Sequence, residues 1–200
     1  MAKERLKSPR GRLFVALDLP AEVKAGVERW GRRALADPAL RRIAPESLHI
    51  TLAFLGWRAL KEVDQIAAAV RESAGPAPLI ELQDPEPRPS RGRPRLFALP
   101  ALSPGTELLQ AGLQERLVEG GFYEPEKRPY WPHVTVARVR PEARGSKRPA
   151  LVEKPPKKLP PALAKAFLGV RLTLYRSELQ PTGARYVPLA QVELPGAGRQ

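Results

Sequence analysis

Short apolar runs at residues 13–19 and 48–55, and again at 95–99 and 132–139, read as strands bounded by turn residues. Between the members of each pair lies a stretch that reads as helix, about 21–36 in the first case and about 104–119 in the second. The order strand, helix, strand therefore occurs twice, and the second helix and strand follow the first at a nearly constant interval. Residues 61–72 carry Val63, Ile66, Ala67 and Val70 at helical spacing, which predicts an amphipathic helix covering one sheet. Segments 85–94 and 141–161 are rich in proline and basic residues and read as loops. Alternation of Val, Leu and Leu with Arg and Thr over 170–175, and the run 186–194, predict two closing antiparallel strands. The expected class is α+β, a bilobal pseudo-twofold duplication with two mainly antiparallel sheets lining a central cleft and helices outside. The whole chain, 1–200, is expected to form one such domain, with repeat copies at approximately 13–56 and 95–139.

The duplication carries chemistry with it. The chain has two histidines, and each opens the same pattern: His49-Ile50-Thr51-Leu52-Ala53 and His133-Val134-Thr135-Val136-Ala137. Side chains of a strand alternate faces, so His49 and Thr51 share one face and His133 and Thr135 share another. Ile50, Leu52, Val134 and Val136 then point into the layer beneath the helices. Strict alternation also sends Phe54 to the core unless the strand twists out at Gly56. It sends Arg138 away from His133, unless the strand ends or bulges before it or Arg138 acts from the cleft rim.

Composition sets the partners. Lys plus Arg number 34 against 21 Asp plus Glu, a net charge of +13, which favours a polyanion such as nucleic acid over a basic surface without a ligand. Cysteine is absent, excluding disulfides, thiol chemistry and Cys-ligated zinc. Neither histidine has a carboxylate beside it in sequence, which falls short of a metal site, so no metal and no cofactor are expected. The basic stretch 1–12 is followed by too short an apolar run for a signal peptide or a membrane span, so a soluble cytoplasmic protein is expected. Asparagine is absent and proline numbers 24, which fits heat adaptation and a GC-rich genome equally.

Two opposed imidazoles with two hydroxyls suit in-line displacement at phosphorus. One neutral histidine takes a proton from the nucleophile, the other, protonated, gives one to the leaving oxygen, and the hydroxyls donate to the non-bridging oxygens. The spacing leaves open which histidine does which.

These residues resemble the two-histidine phosphoesterase superfamily, and within it the RNA 2′,3′-cyclic phosphodiesterases formerly called 2′-5′ RNA ligases. The resemblance runs through residues 12–20 (Arg-Leu-Phe-Val-Ala-Leu-Asp-Leu-Pro), 49–56 (His-Ile-Thr-Leu-Ala-Phe-Leu-Gly), 132–138 (Pro-His-Val-Thr-Val-Ala-Arg) and the tail 174–186. It implies a cleft between two lobes in which 2′,3′-cyclic phosphate ends of RNA are opened to 2′-phosphates without metal. It implies that His49 is the proton donor to the departing 3′ oxygen, that His133 is the base activating water, and that Thr51, Thr135 and Arg138 hold the phosphate. The reverse joining to a 5′-hydroxyl is implied as a weak side activity; it needs no ATP, and no phosphate-binding glycine loop occurs.

Substrate contacts are further expected from Tyr130 and Trp131, just before the second motif, and from Trp57, which can stack on bases or simply pack. The basic loops, with Arg88, Arg91, Arg93 and Arg95 in one and Lys147, Arg148, Lys154, Lys157 and Lys158 in the other, can track a backbone. The expected partner is RNA with a 2′,3′-cyclic phosphate end, tRNA fragments included, acted on by a monomer with no protein partner and no membrane. The competing expectations are an RNA-binding protein without catalysis and a phosphodiesterase for another cyclic nucleotide phosphate.

Overall fold

The computed structural model describes residues 9–180 and 183–196. Residues 1–8 of the basic amino terminus, and Pro181 and Thr182 of the tail motif, lie outside the described residues. In chain order the elements are β1 (Arg10–Asp18), α1 (Ala21–Ala34), β2 (Leu40–Arg42), β3 (His49–Ala59), α2 (Val63–Glu72), β4 (Leu79–Leu82), β5 (Glu86–Arg88), β6 (Leu96–Leu102), α3 (Pro104–Glu119), β7 (His133–Val139), β8 (Phe167–Leu168), β9 (Arg171–Gln180) and β10 (Gly183–Glu193). The three helices and the long strands stand where the apolar pattern predicts them. The short strands β2, β4, β5 and β8 do not register in that pattern. Segment 85–94, which its proline-rich sequence predicts to be loop, is not loop throughout, because β5 lies within it and pairs with β6 beyond it.

All strand pairings are antiparallel, and the path runs β10, β9, β1, β3, β7, β6, β4, β8, with β2 added beside β7 and β5 beside β6. The architecture is α+β with a large antiparallel sheet. The two expected sheets are in fact joined along this path at β3 and β7, which pair at Ile50 and Val134.

One face of the sheet is buried under the helices. Leu13, Val15 and Leu17 of β1, Ile50 and Leu52 of β3, Val134 and Val136 of β7, and Leu172 and Leu174 of β9 pack with Ile66 and Val70 of α2 and with Leu113 and Leu117 of α3. The helix α3 begins at Ser103, whose hydroxyl accepts from the Thr106 N–H at 3.2 Å, with Pro104 at the first helical position. The long segment after β7 is tied down at Asp37, which is buried. Its carboxylate accepts from the backbone N–H groups of Ala39, Glu153 and Lys154 at 2.7–2.9 Å, and the Lys154 bond leads in holding it below the usual carboxylate range. Among the described residues, no helix is long and apolar enough to cross a membrane.

Candidate active site

Two bulges build the opposite face. On β3, Ala16 of β1 stands against Thr51 and Val15 against Ala53, so Leu52 is the extra residue. Leu52 and Ala53 are both buried, and the alternation resumes one step out of phase. A second extra residue, Leu55, falls between the partners of Phe14 and Leu13, just before Gly56 at φ +69°, a backbone value that favours glycine. The pairs Asp18–His49, Ala16–Thr51, Phe14–Phe54 and Arg12–Trp57 therefore share one face. Phe54 is not core, as strict alternation predicted; it is 56% exposed, and the bulge at Leu52 is the reason.

The second strand repeats the device at the matching position. Ala98 of β6 opposes Thr135 and Phe97 opposes Ala137, leaving Val136 as the extra residue. Pro100–His133, Ala98–Thr135 and Leu96–Arg138 then share a face, so the bulge carries Arg138 to the side of His133 and Thr135. Beyond Arg138 on that face come Arg88 of β5, opposite Leu96, and Arg41 of β2, opposite Arg138.

The single pair Ile50–Val134 brings the two motifs together. Antiparallel order around it sets Thr51 toward His133 and His49 toward Thr135, with the imidazoles on one diagonal and the hydroxyls on the other. Diagonal neighbours across strands stand roughly 7–8 Å apart, room for a tetrahedral phosphorus between them. Tyr130 closes the seam: its hydroxyl donates to the Thr51 carbonyl at 3.0 Å, and burial pushes its pKa up so that it remains a donor. Its ring packs against the core.

Both imidazoles are anchored alike. His49 Nδ1 lies 2.8 Å from the Ser47 carbonyl and His133 Nδ1 lies 2.7 Å from the Trp131 carbonyl, in each case two residues back along the chain. A carbonyl only accepts, so Nδ1 carries the proton and Nε2 is left for chemistry. His49 Nε2 stands 3.2 Å from Thr51 Oγ1, an acceptor for that hydroxyl when neutral and a donor to it when protonated.

Their surroundings differ. His49 is enclosed by Phe14, Tyr186 and Tyr175, with ring centroids at 5.1, 5.3 and 6.2 Å. Asp18 beside it is 3% exposed, and its carboxylate accepts from Thr173 Oγ1 and the Tyr175 hydroxyl at 2.9 Å each, with Arg171 Nε at 3.2 Å. Burial, then the Asp18 charge, raises the Tyr175 pKa, keeping that hydroxyl a donor. Burial pushes His49 down to about 4, against the opposing pull of the Ser47 carbonyl and Asp18. Around His133 the charges are positive. Burial leads in lowering its pKa, the Trp131 carbonyl opposes, and Arg88 and Arg138 add to the lowering. Trp131 stacks on His133 with centroids 4.1 Å apart and planes at 19°, so of the aromatics expected at the substrate Tyr130 lies in the seam and Trp131 against a histidine.

Asp18, Phe14, Tyr175 and Tyr186 are site residues to which the sequence pattern assigns no role, whereas it places Arg88 in a backbone-tracking basic loop and Phe54 in the core. Asp18 carried a signal, a charge inside an apolar strand. Among the described residues, no group of three or more His, Asp or Glu is placed to hold a metal ion. A groove of about 700 Å³ on the helix side is lined by Leu79, Ile80, Leu102, Leu108 and Leu109 and holds neither histidine.

The model of the 2′-5′ RNA ligase superfamily matches residues 19–180. The RNA 2′,3′-cyclic phosphodiesterase of Thermus thermophilus is 32% identical to this chain, covering 92% of it and 91% of the relative. The RNA 2′,3′-cyclic phosphodiesterase of Escherichia coli is 29% identical, covering 89% of this chain and 93% of the relative. The crystal structure of E. coli LigT complexed with 3′-AMP aligns with a TM-score of 0.72 at 26% identity, over 94% of this chain and 99% of that one. Because the matched span takes in both histidine strands and the seam that joins them, this chain belongs to the 2′-5′ RNA ligase superfamily.

Proposed function

We propose that the protein is a metal-independent RNA 2′,3′-cyclic phosphodiesterase that opens cyclic phosphate ends to 2′-phosphomonoesters. The observation that carries the reading is the paired anchoring: both imidazoles donate Nδ1–H to a backbone carbonyl and present Nε2 on the face that Thr51 and Thr135 share. The printed names of the T. thermophilus and E. coli relatives support the same activity.

His133 Nε2 takes a proton from water as its oxygen bonds to phosphorus. The bond from phosphorus to O3′ breaks in line, and protonated His49 Nε2 gives its proton to O3′. The 2′-phosphate remains; His133 has gained one proton and His49 has lost one, so the pair as a whole keeps its proton count. Thr51, Thr135 and Arg138 hold the non-bridging oxygens, where charge builds. Asp18 behind His49 pulls toward the imidazolium, against the burial that holds its pKa near 4, and Arg88 and Arg138 beside His133 push toward the neutral base. Phe54 and Trp57, 56% and 61% exposed on the same face, offer rings for the base. One chain, as a single bilobal unit with copies at approximately 13–56 and 95–139, supplies every group, so the protein works in the cytoplasm as a monomer on RNA ends, tRNA fragments among them. When a 5′-hydroxyl replaces water, the same groups give weak 2′-5′ ligation.

The test is turnover of a short RNA with a 2′,3′-cyclic phosphate end in chelator, with the regiochemistry of the product. A 2′-phosphate is expected; no product from folded protein overturns the reading in favour of RNA binding without chemistry.

The pH dependence follows from the lowered histidines. The pair must hold one proton, and above both pKa values it holds none, so kcat/KM falls about tenfold per pH unit on that side. The maximum is expected on the acid side of about 6.5, the ordinary histidine value, bounded below by His49 near 4. A kcat/KM that climbs to a plateau above pH 7 contradicts this.

A further inference from the structure

We infer that Arg88 and Trp131 are positioning residues for His133, the guanidinium lying on the indole and the indole on the imidazole so that together they fix the plane of the ring and the charge that faces it. The inference rests on the proposed reading in which His133 gains and loses a proton during turnover.

Three contacts carry it. Arg88 Cζ lies 3.8 Å from the centre of the Trp131 ring. That ring lies 4.1 Å from the His133 ring and within 19° of parallel to it. The carbonyl of the same tryptophan accepts Nδ1–H at 2.7 Å. Trp131 thus holds the imidazole by its face through the side chain and by its edge through the backbone, which removes the ring's two soft torsions. An indole face has no room for both groups at these distances, so the tryptophan is a spacer between cation and imidazole. Arginine suits this place better than lysine because its planar group stacks and cannot lose its charge.

Arg88 is itself held by Glu86 at 2.9 Å and by the pairing of β5 with β6. The charged and titratable groups toward His133 are Arg88 and Glu86 from β5, Arg138 from β7, Arg41 from β2 beside Arg138, and His49 from β3. The arginines outnumber the one carboxylate. A protonated His133 is therefore disfavoured, which is what a base that must wait neutral for water requires. His49, with Asp18 in the corresponding place, has no such cation stacked near it among the described contacts.

The experiment is a direct titration of the imidazole signals by NMR, alongside kcat/KM against pH on a nucleoside 2′,3′-cyclic phosphate. Two histidines give two sets of signals, assigned with His49→Ala. Arg88→Gln removes the charge and keeps a planar group; it is expected to raise the His133 pKa by about half a pH unit, the effect of one unit charge across a partly solvated gap, and to carry the alkaline limb of kcat/KM up with it. Arg88→Lys keeps the charge and loses the plane; the pKa is expected to stay while kcat falls roughly tenfold through misplacement of the ring. Trp131→Phe, which keeps a ring, is expected to retain most of kcat where Trp131→Ala does not. An unchanged His133 titration in Arg88→Gln overturns the inference. The titration is read without substrate, so it stands even where the protein turns over no cyclic phosphate, and the two failures are told apart.

Discussion

Alanine at either His49 or His133 is expected to lower kcat on a cyclic-phosphate-ended RNA by ~10²–10⁴-fold, the range that one general acid or base contributes. The two losses arise at opposite ends of one displacement. Without His133 the attacking water keeps its proton; without His49 the 3′ oxygen departs as an alkoxide. Because the two steps belong to a single transition state, the double variant is expected to lose little more than the worse single variant. The fold is expected to survive, since both rings sit on the face away from the helices, while Ile50 and Val134, which hold the strands, are untouched. The check is kcat beside thermal melting and binding of a 2′-phosphate product. A loss under tenfold at either position, with melting unchanged, would remove that histidine from the chemistry. A loss confined to KM would turn it into a binding group.

The histidines were legible because a rare side chain in a strand pattern declares both its chemistry and its face. The helices were legible for a similar reason: Val63, Ile66, Ala67 and Val70 repeat over enough residues to fix a period. What period-two reading could not carry was the bulge. It assumes one residue per step, whereas Leu52 and Val136 each insert one extra, and everything beyond changes face. The trace in the sequence is small, two buried apolar residues in succession after each threonine, and it looks like ordinary core. Phe54 and Arg138, each five residues after a histidine, are misdirected by the same assumption. The strands β2, β4, β5 and β8 are too short to show any period, and with β5 went the placement of Arg88. Asp18 is the other kind of silence. Its partners Thr173 and Tyr175 are more than 150 residues away along the chain, and only the neighbouring of β1 with β9 brings them to it.

The second large effect is expected at a position that touches no substrate. Ile50 is fully buried, and with Val134 it forms the one pair at which β3 and β7 meet. Ile50→Ala is expected to cost about 2–5 kcal/mol in unfolding free energy, the usual range for a large aliphatic side chain removed from a packed core. Leu117 in α3 is equally buried, and its alanine variant is expected to cost a similar amount. The two differ in what they do to the folded fraction. His49 and Thr51 flank Ile50 in the chain, and His133 and Thr135 flank Val134, so relaxation around the hole shifts one acid–base group against the other. A misplacement near 1 Å is enough to cost roughly 100-fold in rate. Ile50→Ala should therefore lose both stability and kcat, measured well below its melting point, whereas Leu117→Ala should lose stability alone. Adding Val134→Ala should be non-additive by about 0.5–3 kcal/mol, as for residues in contact. If Ile50→Ala is destabilised yet keeps kcat within about twofold, the seam is only a hydrophobic joint and the histidines are held in place by their own anchors, the carbonyls of Ser47 and Trp131.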